Sequence, residues 1–203
     1  MKKDAIIYRE ATLDDVLDLI ELEKEVWGEK MLAEEEKWKT RIKVFSEGVY
    51  LAEHKQKIIG VVVCMIVDWI YPKDYYPDWF EVSDNGFITN HSMDGEVLYG
   101  VDMTVLPKAM NIASVLLKRV FYLREKYHKA GGMLGSRIPS LASYVKNNNI
   151  KIVNEELVST VARLDPTVNF FMQGRMRWVG PKKDYYPPDE ESLGWGLILE
   201  HFE

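Results

Sequence analysis

The 203-residue sequence predicts an α/β chain: a central mixed sheet, largely antiparallel, with helices on both faces and an extended C-terminal region. Three observations carry that prediction. Apolar periodicity switches between strand and helix in the order strand, helix, helix, strand, strand, strand, helix, strand. Residues 49–67 hold two strand-like runs around the polar turn Lys55-Gln56-Lys57, which makes an antiparallel hairpin. Residues 98–119 read as a strand that passes through Pro107 into an apolar-striped helix, because proline removes a ladder donor yet suits a helix start.

Ile6-Ile7-Tyr8-Arg9 is the first predicted strand. Thr12-Leu13-Asp14-Asp15 follows as a capping signature, with a hydroxyl to accept from free amides and two acids at the positive helix end. The helix it opens carries Leu13, Val16, Leu17, Ile20 and Trp27 on one face. A second helix over residues 32–46 turns Trp38, Ile42 and Phe45 inward and Glu34, Glu35, Lys37 and Lys39 outward, and Gly48 ends it. Residues 71–95 then form an insert dense in aromatics and turn formers, running Tyr71-Pro72-Lys73-Asp74-Tyr75-Tyr76-Pro77-Asp78-Trp79-Phe80. A loop of that length suits a cover over the sheet edge or a lid facing a substrate, with Trp79 and Phe80 as the side chains it would present to substrate or partner.

The strand at residues 98–105 is rich in β-branched, aromatic and aliphatic side chains. The third helix commits Ile112, Val115, Leu116, Val120, Leu123 and Tyr127 to the core and leaves Lys118, Arg119, Arg124 and Glu125 wet. Gly131-Gly132 stops it, and residues 133–138 are the fifth strand. Residues 139–203 make the extended part: a helix over 139–147, another from Asn154, and a third opened by Asp165-Pro166 and closed by Gly174. Two last strands, near 177–179 and 195–200, flank Tyr185-Tyr186-Pro187-Pro188. With no internal repeat or low-complexity linker, residues 1–203 are expected to form one domain.

Composition narrows the function. A net charge of -6 argues against nucleic acid and anionic membranes, whose phosphates need clustered Lys and Arg, and suits a cationic amine better. The single cysteine forms no intramolecular disulfide, and no Cys/His spacing suits a metal, so a reducing, cytoplasmic setting is expected. Cys64 itself sits in an apolar run and reads as a small core residue. The apolar runs are strand-length, too short for a membrane span.

Chemistry concentrates around the fourth strand. The backbone amides at the start of the third helix, near Asn111, Ile112, Ala113 and Ser114, carry the positive end of its dipole and fit a pyrophosphate. Asp102 and Glu96 are evenly spaced on the strand, which puts both acids on one face as candidates for a general base. Asp102 stands within an apolar run, where an acid is costly unless paired, and so reads as a base or a structural acceptor. His91 could relay a proton near neutral pH or simply be exposed. Arg137 suits either a structural ion pair or an acidic group of a substrate.

This stretch resembles the pyrophosphate loop of the GNAT family of acyl-coenzyme A N-acyltransferases. Ile112-Ala113-Ser114-Val115-Leu116-Leu117 matches the helical end of that motif, whereas Lys108-Ala109-Met110-Asn111 is shorter and lacks its glycines. Asp84-Asn85-Gly86, His91, Leu98-Tyr99-Gly100-Val101-Asp102, Ser136-Arg137-Ile138-Pro139, Asp165-Pro166-Thr167-Val168-Asn169-Phe170 and Pro187-Pro188-Asp189-Glu190-Glu191-Ser192 resemble the GNAT subgroup often fused to a carbon–nitrogen hydrolase, with the hydrolase half absent here. The resemblance implies acetyl transfer from acetyl-CoA to a small-molecule or peptide primary amine by direct attack on the thioester, without a metal. It assigns pantetheine and carbonyl contacts to the Met103, Thr104 and Val105 backbone and pyrophosphate to residues 111–114 with Lys108 adding charge. It puts Tyr144, on the helix after the fifth strand, in the place of a general acid. A homodimer is compatible with it. The glycine-poor loop equally suits a non-catalytic ligand-binding or interaction module that keeps the fold.

Overall fold

The computed structural model describes residues 5–69 and 75–202; the head of the aromatic insert, Tyr71-Pro72-Lys73-Asp74, lies outside the described residues. The chain divides into two compact units, one made of Met1–Trp69 and Ser83–Gly132, the other of Ile70–Val82 and Met133–Glu203.

The first unit starts with β1 (Ile7–Glu10), a 3-10 turn at Leu13–Asp15, α1 (Val16–Trp27) and α2 (Glu35–Val44). The hairpin β2 (Val49–His54) and β3 (Lys57–Val67) turns through Lys55 and Gln56, whose φ values of 53 and 62 are the left-handed pair that a two-residue hairpin needs. After the short α3 (Trp79–Ser83) come β4 (Val97–Val105), a 3-10 turn at Pro107–Ile112 and α4 (Ala113–Lys126). The strands lie in the order β1-β2-β3-β4, each antiparallel to its neighbour.

Register decides which side chains meet. Gly60 packs against Ile112 and Leu116, so the β3 residues in phase with it, Val62, Cys64 and Ile66, face α4. Val61, Val63 and Met65 then face α1 and α2. The sequence stripe on α1 had the right period and the wrong phase. Val16, Leu19, Leu22 and Glu23 are buried, while Leu13 and Leu17 are exposed. Trp38, Ile42 and Phe45 are buried as expected, joined by Arg41. On α4, Leu116 and Leu123 are buried, and so is Arg124, which the sequence placed in water.

β3 outruns β2. Its Val63 pairs with Val49, the first residue of β2, so the last turns of β3 need another partner on that edge. Residues of the loop before β4 supply it: Ile66 N–H donates to His91 Nδ1 at 3.0 Å, and Ser92 N–H donates to the Ile66 carbonyl at 2.9 Å.

The second unit holds β5 (Gly131–Ser136, its first two residues still in the first unit), α5 (Leu141–Asn147), α6 (Glu155–Ala162), α7 (Pro166–Gln173), β6 (Arg177–Lys182) and β7 (Gly196–Phe202), with strand order β5-β7-β6. Gly131-Gly132 thus opens β5 rather than only stopping a helix. Asn154 caps α6 through Leu157 N–H, and Asp165 caps α7 through Thr167 and Val168, as the sequence predicted. Tyr185 lies over both β5 and β7: a Cβ on Gly135 would fall 2.0 Å from its Cζ, and one on Gly196 would fall 2.4 Å from its Cδ1. Asp189 is buried and accepts from Arg137 Nε at 2.7 Å and Nη2 at 2.6 Å, while Ser192 Oγ accepts from Ile138 N–H at 2.9 Å. Among the described residues no helix is long and apolar enough to cross a membrane.

Candidate active site

On the α1/α2 face of β4 the structure assembles a polar cluster inside an apolar unit. Along β3, Val63 pairs with Asp102 but the next residue, Cys64, pairs with Gly100, so β4 carries one extra residue at this point. Such a bulge reverses the alternation beyond it. Asp102 therefore shares a face with Tyr99, Val63 and Met65, and the even spacing that put Glu96 beside it does not hold. Glu96 is exposed, precedes β4 and falls on the opposite face.

Asp102 keeps intermediate exposure and is held from three sides. Trp27 Nε1 donates to Thr104 Oγ1 at 2.6 Å, and the Thr104 hydroxyl donates to Asp102 Oδ1 at 3.1 Å. On its other side Asp102 is hydrogen-bonded to the Glu23 carboxyl of α1. Glu23 is 3% exposed, and its Oε2 accepts from Ala33 N–H at 2.7 Å and Trp38 Nε1 at 3.2 Å. Arg41 brings the balancing charge: its Nη1 lies 4.0 Å from Glu23 Oε1, its guanidinium stacks 4.7 Å from the Trp38 ring, and its Nε donates to the Gly86 carbonyl at 2.7 Å. Gly86 ends a left-handed run of Asp84, Asn85 and Gly86 with φ values of 50, 54 and 80, so the cluster also pins the Asp84-Asn85-Gly86 turn.

Burial pushes the Glu23 carboxyl up to about 7, the neighbouring Asp102 adding to the rise and Arg41 opposing it. Burial likewise raises Asp102, against the pull of Arg41 and of the bonds from Thr104 and Glu23. A carboxyl with raised proton affinity on a strand that leads to a helix entry can take a proton near neutral pH.

The entry to α4 is tighter than the sequence implied. The 3-10 turn at Pro107–Ile112 is broken at Ala109, with φ -117 and ψ 16, before α4 begins at Ala113 with no side-chain cap. Ala109 N–H donates to the Leu106 carbonyl at 2.8 Å and Ala113 N–H to that of Met110, so the Ala113 amide is already engaged. Lys108, Asn111 and Ser114 are exposed, while Ile112 and Ala113 are buried. Met103, Thr104 and Val105 pair with Val62, Val61 and Gly60 along one edge, and the Thr104 side chain is fully buried and occupied.

The remaining sequence candidates lie elsewhere. His91 is half-buried, stacks 4.2 Å from Phe45 and has Nδ1 taken by Ile66; burial holds it below the usual imidazole value. Arg137 is committed to Asp189 and Glu191. Trp79 and Phe80 meet each other and Tyr186 edge-on or tilted at 5.0 to 5.3 Å. Tyr144 is half-buried on α5 in the second unit. Among the described residues no group of three His, Cys, Asp or Glu side chains could hold a metal. Glu23 and Arg41 were missed because both read as solvated charges. The available signal was that Glu23 stands at the core phase set by Val16, Leu19 and Trp27.

No family model matches the chain. It is 26% identical over 203 residues to "Probable hydrolase YhcX" of Bacillus subtilis (strain 168), which covers 96% of this chain and 38% of that protein. The chain thus spans well under half the length of that relative. It is 27% identical over 205 residues to "Uncharacterized N-acetyltransferase YkwB" of the same strain, covering 98% of this chain and 89% of the other. Among solved structures it is similar to a GNAT-like decarboxylase, GphF, in complex with isobutyryl-CoA: TM-score 0.79, 19% identity, 97% of this chain and 98% of that one. By its fold, and in keeping with the acetyltransferase relative, this protein is a member of the GNAT superfamily.

Proposed function

We propose that this chain transfers an acetyl group from acetyl-CoA to a primary amine, and that both compact units serve that one activity. One observation supports the reading above the others: a partly exposed carboxyl of raised proton affinity, Asp102, held by Thr104 beside a bulge in the strand that feeds the α4 entry. In this reading Asp102 accepts a proton from the substrate ammonium. The freed amine nitrogen attacks the thioester carbonyl carbon; the C–N bond forms, the C–S bond breaks with its electron pair going to sulfur, and the thiolate takes a proton. Overall an ammonium and a thioester become an amide, a thiol and one proton. The edge of β4 away from β3, at Met103 to Val105, is where the pantetheine arm would lie. The exposed Asn111 and Ser114 with Lys108 would meet the pyrophosphate. Tyr144 is the residue we assign to protonate the leaving thiolate.

Calorimetric titration with acetyl-CoA, followed by thiol release with a panel of primary amines, tests this. We expect micromolar binding and amine-dependent release that falls about 100-fold in Asp102→Asn with binding retained. Absence of binding overturns the reading.

A further inference from the structure

The face of α1 that packs on β4 buries a carboxyl that the acyl-transfer reading does not use. Glu23 has no route to solvent of its own, yet it touches Asp102, which has one. Two carboxyls joined by a hydrogen bond must hold a proton between them, since two carboxylates offer only acceptors. Charge balance agrees. The groups that face the pair are Arg41 and, farther out, Lys37 from α2; Trp27 and Trp38 donate neutral N–H groups, and Val61, Val63 and Met65 of β3 are apolar. One guanidinium against two carboxylates leaves a buried negative charge, whereas one guanidinium, one carboxylate and one carboxylic acid leave none.

We propose that Glu23 and Asp102 share a single proton and act as one proton-accepting unit, in which Glu23 is a positioning residue that sets the proton affinity of Asp102. The shared proton stands on the geometry alone; only the identity of the incoming ammonium rests on the acyl-transfer reading. The pair enters the reaction with one proton and one negative charge, takes one proton from the ammonium, and leaves neutral and doubly protonated. It returns to its starting state by releasing that proton to solvent through Asp102. The Oε2 bonds from Ala33 and Trp38 fix the rotamer of Glu23, so it can present only Oε1 toward Asp102 and Arg41.

The test follows carboxyl carbons by isotope-edited NMR across pH in the wild type, Glu23→Gln and Asp102→Asn. One step near neutrality in the wild type is expected. In Glu23→Gln the Asp102 step should move about one pH unit or more toward acid, because a like charge is lost and Arg41 is no longer shared. In Asp102→Asn the Glu23 step should move the same way, which keeps the inference testable if the first variant does not fold. The acid limb of kcat/KM should shift with the Asp102 step while the KM for acetyl-CoA stays put. Two independent steps in the ordinary carboxylate range, or an Asp102 step unmoved by Glu23→Gln, overturn the shared proton. If the NMR shifts appear and no amine supports thiol release, the pair stands and the acyl-transfer reading fails.

Discussion

Two acidic side chains of the first unit show how opposite environments set opposite pH behaviour. Asp15 is buried but richly paired: Arg9 donates to both its oxygens at 2.6 and 2.7 Å, and Thr12 adds its N–H at 2.7 Å and its hydroxyl at 2.9 Å. The Arg9 bond, foremost, holds its carboxyl below the ordinary value. The stability it contributes is present above the ordinary carboxylate range and is lost as pH falls through the lowered folded value. Asp15→Asn should therefore cost about 2 kcal/mol in urea unfolding at neutral pH, and the gap to wild type should close in acid. Glu23 runs the other way. Its raised value near 7 means a contribution present in acid that fades as pH rises through neutrality. Replacing it with Gln should flatten that alkaline decline, which the same unfolding experiment at pH 6 and 8 reads directly.

Secondary elements were largely legible because each announces itself locally. The hairpin turn, the Asn154 and Asp165 caps and the proline ahead of α4 all stood in the sequence where the structure has them. What was illegible is what depends on partners. The extra residue near Val101 lies in a run of good strand formers and leaves no trace in composition, yet it sends Asp102 and Glu96 to opposite faces. Glu23 and Arg41 are core residues only because they meet each other, and a one-dimensional reading assigns charges to water by default. The second unit offers a test of such pairwise dependence. Gly196→Ala must drive a methyl into the Tyr185 ring, and we expect a loss of about 2 kcal/mol in thermal or chemical unfolding. Tyr185→Ala in the same background should recover little, since it trades the clash for a cavity.

At the scale of the whole molecule, ligand binding should be visible as stability. If acetyl-CoA binds the folded chain alone, unfolding at a hundredfold excess over Kd should require about 2.7 kcal/mol more than without it, read as a rise in urea midpoint. An unchanged midpoint would speak against cofactor binding as firmly as a flat calorimetric trace. The overhang of β3 past β2 has a different consequence. His91 and Ser92 occupy the backbone groups that this edge would otherwise offer to a strand from a neighbouring chain. Their loop is in that sense a guard against self-association: a protease cut or a deletion there would leave the most apolar strand of the protein as an open template, and the damage would surface first as light scattering rather than as lost binding.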